Sequence, residues 1–418
     1  MPTKLGLPLL LAVGSLALST SPPTAAANTN TLKIYLMAGQ SNMEGQGYTW
    51  DNFATVDNWN VPSLDYLSGA SPASKAYLAS LPESVYGFKQ AFDASWMGAR
   101  NDAWSVNYLS SNGKVLQVRT TRDTTPGDDS LPAYPVGIQP LSPGFGKNGS
   151  IGSRNNGTNM TPSYFGLELG MGHNLGDAMQ SPLLLFKSSK GGTTLAVNWR
   201  PPSAAADRGG NVGSHYINTI NRFKGVLDGL DADLANGVLD DKYGGASGYE
   251  VAGFVWMQGW NEQYNQSGGP TSAQMIAEYA HNMVDLVEDI RASDNRIPNN
   301  MPAIIVESAD QNPAINAQRL AAANTLNAEK AGSAVFLEMN NLIDGHYGGL
   351  NASGNPFNKG YGSHFHVRPE NYLEIGWRVA DTIIENNFTG SETVPEPTTL
   401  AVLAAGTLAM LRRKRRTP

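Results

Sequence analysis

The sequence predicts an α/β fold: a three-layer α/β/α sandwich around a mainly parallel central sheet, with a long loop insertion after the first strand. Three observations carry this. Short apolar runs, too continuous for strands with one wet face, alternate with longer stretches of helical period. The order is repeatedly strand then helix, which builds parallel neighbours joined by crossovers. From about residue 50 to 162 the alternation stops, in a stretch rich in Gly, Ser, Asn and Pro.

The first apolar run is Leu32–Ala38, followed by Leu183–Lys187, Val251–Met257, Ala303–Glu307 and Ala334–Leu337. Each is short, and its continuity fits a strand covered on both faces. Helices are expected over Phe165–Met179, Ile217–Leu234, Ser272–Ala292, Ile315–Glu329 and Glu370–Glu385. Long irregular stretches inside compact domains usually serve function or decorate a site. The 50–162 segment is therefore read as an insertion lining the mouth of the site. The sequence shows no internal repeat and no coiled-coil heptads.

The chain has 418 residues, a net charge of −7 and no cysteine. The lack of cysteine excludes a disulfide scaffold, a thiol nucleophile and thiolate metal sites. The acidic balance argues against nucleic acid or an anionic membrane as main partner. Charged residues make up 16% of the chain, against 45 Gly and 25 Pro, which fits a loop-rich globular protein better than extended disorder. Lys4 precedes the apolar stretch Leu5 to Leu18, and Ala25-Ala26-Ala27 offers a small-residue cleavage site, so residues 1–27 read as a secretory signal peptide. At the other end Val394-Pro395-Glu396-Pro397 precedes a short apolar stretch, Leu400 to Leu411, and the basic cluster Arg412 to Arg416. That three-part order resembles the PEP-CTERM sorting signal of bacterial surface proteins. The resemblance implies an exosortase-type protease as partner, export to the cell surface or beyond, and membrane contact only through residues 394–418.

In parallel sheets the carboxyl ends of the strands open onto the ligand crevice. The first strand ends there in Gly39-Gln40-Ser41-Asn42-Met43-Glu44-Gly45. Ser41 on such a turn is either a nucleophile backed by free N–H groups or a helix N-cap. Four segments together resemble the sialate O-acetylesterase-like (SASA) domain, a carbohydrate-esterase branch of the SGNH hydrolase superfamily. They are Gly39-Gln40-Ser41-Asn42-Met43; Phe165-Gly166-Leu167-Glu168-Leu169-Gly170-Met171-Gly172; Phe186-Lys187-Ser188-Ser189-Lys190-Gly191-Gly192-Thr193-Thr194-Leu195 with Trp199-Arg200-Pro201-Pro202-Ser203; and Val255-Trp256-Met257-Gln258-Gly259-Trp260-Asn261-Glu262. The similarity spans about residues 31 to 386 and places the esterase domain at 28–393.

The resemblance implies that Ser41 is the nucleophile, and that Ser41, Gly166 and Gln258 form the oxyanion hole. Gln40, Asn42, Trp199, Arg200, Trp260 and Glu262 complete a candidate substrate-binding set. Trp can stack on a sugar and Arg can bind hydroxyls or carboxylate; equally, Arg200 can hold backbone carbonyls in a structural loop. The base is His364 or His366, in Ser363-His364-Phe365-His366-Val367. Counting back ten residues from Gly376, as in common SGNH members, gives His366. Counting twelve, as in the branch with W-x-Q-G-W-N, gives His364, which the neighbouring Trp260-Asn261 favours. The usual Asp three residues before the base is absent: Ser363 and Tyr361 stand there. Asp344 or Glu262 is left to orient the imidazole. No metal or organic cofactor is required by this chemistry.

The resemblance thus implies an exported serine esterase that removes O-acetyl groups from a carbohydrate. A surface carbohydrate-binding protein that has lost turnover, and a lipase or thioesterase of the same superfamily, are the other readings.

Overall fold

The computed structural model describes residues 30–49, 53–56, 59–69, 71–109, 138–146, 164–309, 312–343, 364–365 and 367–390. Residues 1–27, Asp344, His366 and the tail 394–418 lie outside these. Seven strands form the main sheet: β1 (Thr31–Gly39), β2 (Ala103–Leu109), β3 (Gln139–Pro140), β4 (Leu183–Ser189), β5 (Gly248–Met257), β6 (Ala303–Val306) and β7 (Ala334–Leu337). Their order is β7-β6-β5-β1-β4-β2-β3, parallel except for the β2–β3 edge pair. The helices that matter here are α1 (Ser41–Glu44), α2 (Leu167–Ala178), α3 (Ser214–Ala235), α4 (Ser272–Ala292), α5 (Pro313–Glu329) and α6 (Pro369–Glu385).

Alternate residues of a strand face opposite layers, and β1 feeds both cores in that way. Tyr35 and Met37 join the core beneath α2 and α6. Leu32, Ile34, Leu36 and Ala38 join the core beneath α3, α4 and α5. This is the three-layer arrangement expected from the continuous apolar runs.

The segment after β1 is more than a rim. Ala103–Leu109 is an inner strand of the sheet, parallel to β4. Leu81, Val85, Tyr86, Phe88, Phe92 and Trp96 fill the core beside α6. The strand escaped the sequence reading because Ser105 and Asn107 break its apolar run. Both are buried, and each bonds a backbone carbonyl: Ser105 Oγ that of Leu185 at 3.1 Å, Asn107 Nδ2 that of Phe145 at 2.5 Å.

Helices α2 and α6 cross almost backbone to backbone. A Cβ added at Gly376 would lie 2.1 Å from the Leu167 carbonyl oxygen, and one at Gly170 the same distance from that of Leu373. Gly376, counted above as a family landmark, is therefore a packing requirement that sets where α6 begins. Among the described residues no helix is long and apolar enough to cross a membrane. Gly to Ala inside an open helix stabilises by about 0.5–1 kcal/mol. Here the sign reverses: Gly376→Ala is predicted to destabilise by about 2 kcal/mol through overpacking, read as a lower urea midpoint.

Candidate active site

Register places the site. Gly39 pairs with Ser189 of β4 and with Met257 of β5, so the loops after three adjacent strands leave the sheet at one level. The chain departs from β1 in both directions across the sheet. Such a switch point, at the carboxyl ends, is where open α/β sheets bind ligands. Ser41 opens α1 on the first of these loops and is 7% exposed.

His364 Nε2 lies 3.0 Å from Ser41 Oγ. The structure thus brings together Ser41 and His364, the histidine favoured from Trp260-Asn261. Phe365 and Val367 take left-handed backbone, φ 47° and 53°, which is costly for a β-branched residue. Packing overrides that cost. Phe365 is fully buried, its carbonyl accepts from Asn371 Nδ2 at 2.9 Å, and α6 follows at once. Tyr372 on α6 has two acceptors within reach of its hydroxyl: Asn42 Oδ1 at 3.0 Å and the His364 carbonyl at 3.3 Å. Asn42 Nδ2 donates in turn to the Ser308 carbonyl at 3.0 Å. Tyr372 carries no family motif, but its place on the buried face of α6 was open to periodicity.

Gly166 does not present an open N–H. That group donates to Glu168 Oε1 at 2.8 Å, and Glu168 Oε2 accepts from Lys187 Nζ at 2.7 Å. Lys187 also donates to the Glu44 carbonyl at 3.0 Å. Both charged side chains are fully buried, and burial lowers the Lys187 pKa against the pull of Glu168. The oxyanion role inferred for Gly166 therefore meets a donor already committed. Gly191 lies against Ser41. A Cβ there would lie 3.2 Å from Ser41 Cβ and 3.1 Å from Glu44 Oε2, and its N–H has no hydrogen bond among the described residues. The signal was in the sequence, in Lys190-Gly191-Gly192.

The Gln258 amide is engaged too: Nε2 faces Glu262 Oε2 at 2.5 Å, the Thr193 carbonyl at 3.0 Å and Gln40 Oε1 at 3.3 Å. Glu262 Oε1 accepts from the Leu195 N–H at 2.5 Å. Burial pushes the Glu262 pKa up to about 8, against those donors and Arg319. Glu262 and Gln258 thus clamp the loop after β4 to the loop after β5.

Most of the expected substrate-binding set is likewise internal. Gln40 and Asn42 are buried, bonded as just described. Trp199 sits in the core, edge-on to Trp256, its indole N–H on Thr193 Oγ1. Arg200 donates to the Gly209 and Ala196 carbonyls at 2.8 and 2.9 Å, the structural alternative. Trp260 alone of the set is half-buried at the rim. Among the described residues no group of three or more His, Asp or Glu is placed to hold a metal ion.

Residues 393–416 match the PEP-CTERM protein-sorting motif, a signal for export to the surface or exterior of bacteria. Among curated proteins, a mitochondrial manganese superoxide dismutase of Aspergillus oryzae is 26% identical over 125 residues, 29% of this chain. That match spans 57% of the dismutase, little more than half its length. Among solved structures, a protein from Arabidopsis thaliana superposes with a TM-score of 0.44 at 14% identity, covering 85% of this chain and 99% of its own. A carbohydrate acetylesterase from Xanthomonas citri gives 0.39 at 12% identity, with 86% and 57% covered. The protein NanS gives 0.40 at 12%, with 85% and 96% covered. At these scores the likenesses carry no argument about chemistry.

Ser41, His364 and a glycine N–H at one strand-end level suit acyl transfer. Gly191→Ala keeps the backbone N–H but adds a Cβ 3.2 Å from Ser41 Cβ, which displaces the donor from Ser41. It is predicted to lower kcat for a small activated ester by about tenfold, part of what a whole oxyanion donor is typically worth. Unchanged kcat in the folded variant would remove Gly191 from the site.

Proposed function

We propose that the protein is an exported serine esterase that releases acetyl groups from a carbohydrate, with Ser41 as nucleophile and His364 as base. The observation that carries this is the 3.0 Å approach of His364 Nε2 to Ser41 Oγ at the switch point of the sheet. The sorting motif at 393–416 supports export.

His364 Nε2 accepts the Ser41 proton as Oγ attacks the acetyl carbonyl. The N–H groups of Ser41 and Gly191 face the oxyanion; Gln258 acts by fixing the Thr193 loop that carries Gly191. The imidazolium then returns its proton to the sugar oxygen, and the alcohol leaves. Water, deprotonated by the same histidine, cleaves the acetyl-enzyme and frees acetate and Ser41. Of the two candidates for a group that orients His364, Asp344 lies outside the described residues and Glu262 is bonded within the clamp. His366, the alternative base, also lies outside the described residues. Recognition of the tail by an exosortase-type protease belongs to the same proposal.

The test measures acetate release from p-nitrophenyl acetate and from acetylated xylan. Ser41→Ala and His364→Ala are each predicted to lose at least about a thousandfold in kcat while remaining folded. Turnover that survives Ser41→Ala would refute the assignment. Binding of acetylated glycan without any release by the wild-type protein would favour a binding protein instead.

A further inference from the structure

Beyond β5 the rim turns outward in the short helical turn Trp260–Gln263, followed by Tyr264. Tyr264 is 54% exposed, and Trp260 beside it is half-buried. Their ring centroids are 6.4 Å apart, tilted by 45°. Other large apolar side chains exposed among the described residues are Val197, Ile217, Leu234 and Leu320, all aliphatic. Tyr264 is the aromatic among them, and its segment leaves the carboxyl end of β5, which pairs with the strand that leads to Ser41. Asn261, three residues before Tyr264, donates from Nδ2 to the Thr193 carbonyl at 3.3 Å, two residues from Gly191, which abuts Ser41.

The surroundings narrow the occupant. From 258 to 270 the segment holds one charged residue, Glu262, and that is fully buried. What it shows to solvent around Tyr264 are the neutral amides of Gln263, Asn265 and Gln266. Each has two donors and two acceptor lone pairs; Gln263 bonds the Trp260 carbonyl and Asn312, Asn265 accepts from the Ser272 N–H at the start of α4, and Gln266 donates to the Tyr264 carbonyl. An exposed aromatic ring flanked in sequence by neutral amides matches a sugar ring, with apolar C–H on one side and hydroxyls at its edge. It offers no counter-charge to an acidic peptide, a phosphate or an anionic membrane.

We propose that Tyr264, with Trp260, is a stacking platform for a neutral sugar unit next to the acetylated one, so that the substrate is an oligomeric or polymeric glycan rather than a lone sugar. This rests on the esterase reading of Ser41 and His364 and adds its substrate class.

The experiment compares wild type, Tyr264→Ala, Tyr264→Phe and Ser41→Ala on acetylated xylan and on p-nitrophenyl acetate. Tyr264→Ala is expected to raise KM for acetylated xylan about tenfold, the scale of one lost stacking contact, with kcat changed far less. Its loss of kcat/KM on xylan should exceed that on p-nitrophenyl acetate by at least about fivefold, because the small ester has no second sugar. Tyr264→Phe, which keeps the ring, should stay within about twofold of wild type. Equal losses on both substrates, a Phe variant as impaired as Ala, or a wild-type protein that hydrolyses the small ester but not xylan would each overturn the platform. Turnover of either substrate by Ser41→Ala would instead sink the esterase reading, and the platform with it.

Discussion

Ser41 meets His364 because of one buried hydrogen bond between residues 330 positions apart. The Tyr372 hydroxyl reaches Asn42, the residue after the nucleophile, and also the backbone carbonyl of His364. Tyr372 is fully buried, and burial holds its pKa well above the ordinary phenol value, so it remains a donor at any working pH. Asn42 continues the tie to Ser308 at the end of β6. One polar chain thus fixes the first strand end, the last helix and the far side of the crevice. Such a network holds geometry well when each member is satisfied, since an unpaired amide or hydroxyl in that interior is costly.

The same requirement explains why so much of the strand-end chemistry is internal. Lys187, Glu168 and the Gly166 N–H form a closed set beneath α1. Gln258, Glu262 and Leu195 form another beneath the Thr193 loop. These groups hold the loops at the level of Ser41, beside which Gly191 and His364 stand. The close crossing of α2 and α6, permitted by Gly170 and Gly376, fixes where the histidine loop meets Ser41.

Much of this was legible in the sequence. Continuous apolar runs marked β1, β4, β5, β6 and β7, because strands buried on both faces leave that trace. Ser41 was legible from its place on the turn after the first strand, whereas counting back from Gly376 gave both His364 and His366, and Trp260-Asn261 favoured His364. What stayed hidden has one physical cause: a buried polar residue and a substrate-facing one look alike in a sequence. Ser105 and Asn107 concealed an inner strand for that reason. Gln40, Asn42, Arg200 and Glu262 had the residue types of a binding site, and the fold uses them for internal bonds. Gly166 and Gly191 both stood in segments that resemble the family's blocks, and in the structure the bond from the Gly166 N–H to Glu168 separates them. Tyr264 was passed over because exposure has no sequence signature in a loop.

The central claim is that acyl transfer passes through Ser41. Its most direct test is peptide mass spectrometry on protein quenched in acid during turnover of p-nitrophenyl acetate. An acetyl adduct is expected on the peptide carrying Ser41, accumulating further when deacylation is slowed and absent from Ser41→Ala. An adduct on another residue, or steady turnover with no adduct, would contradict it.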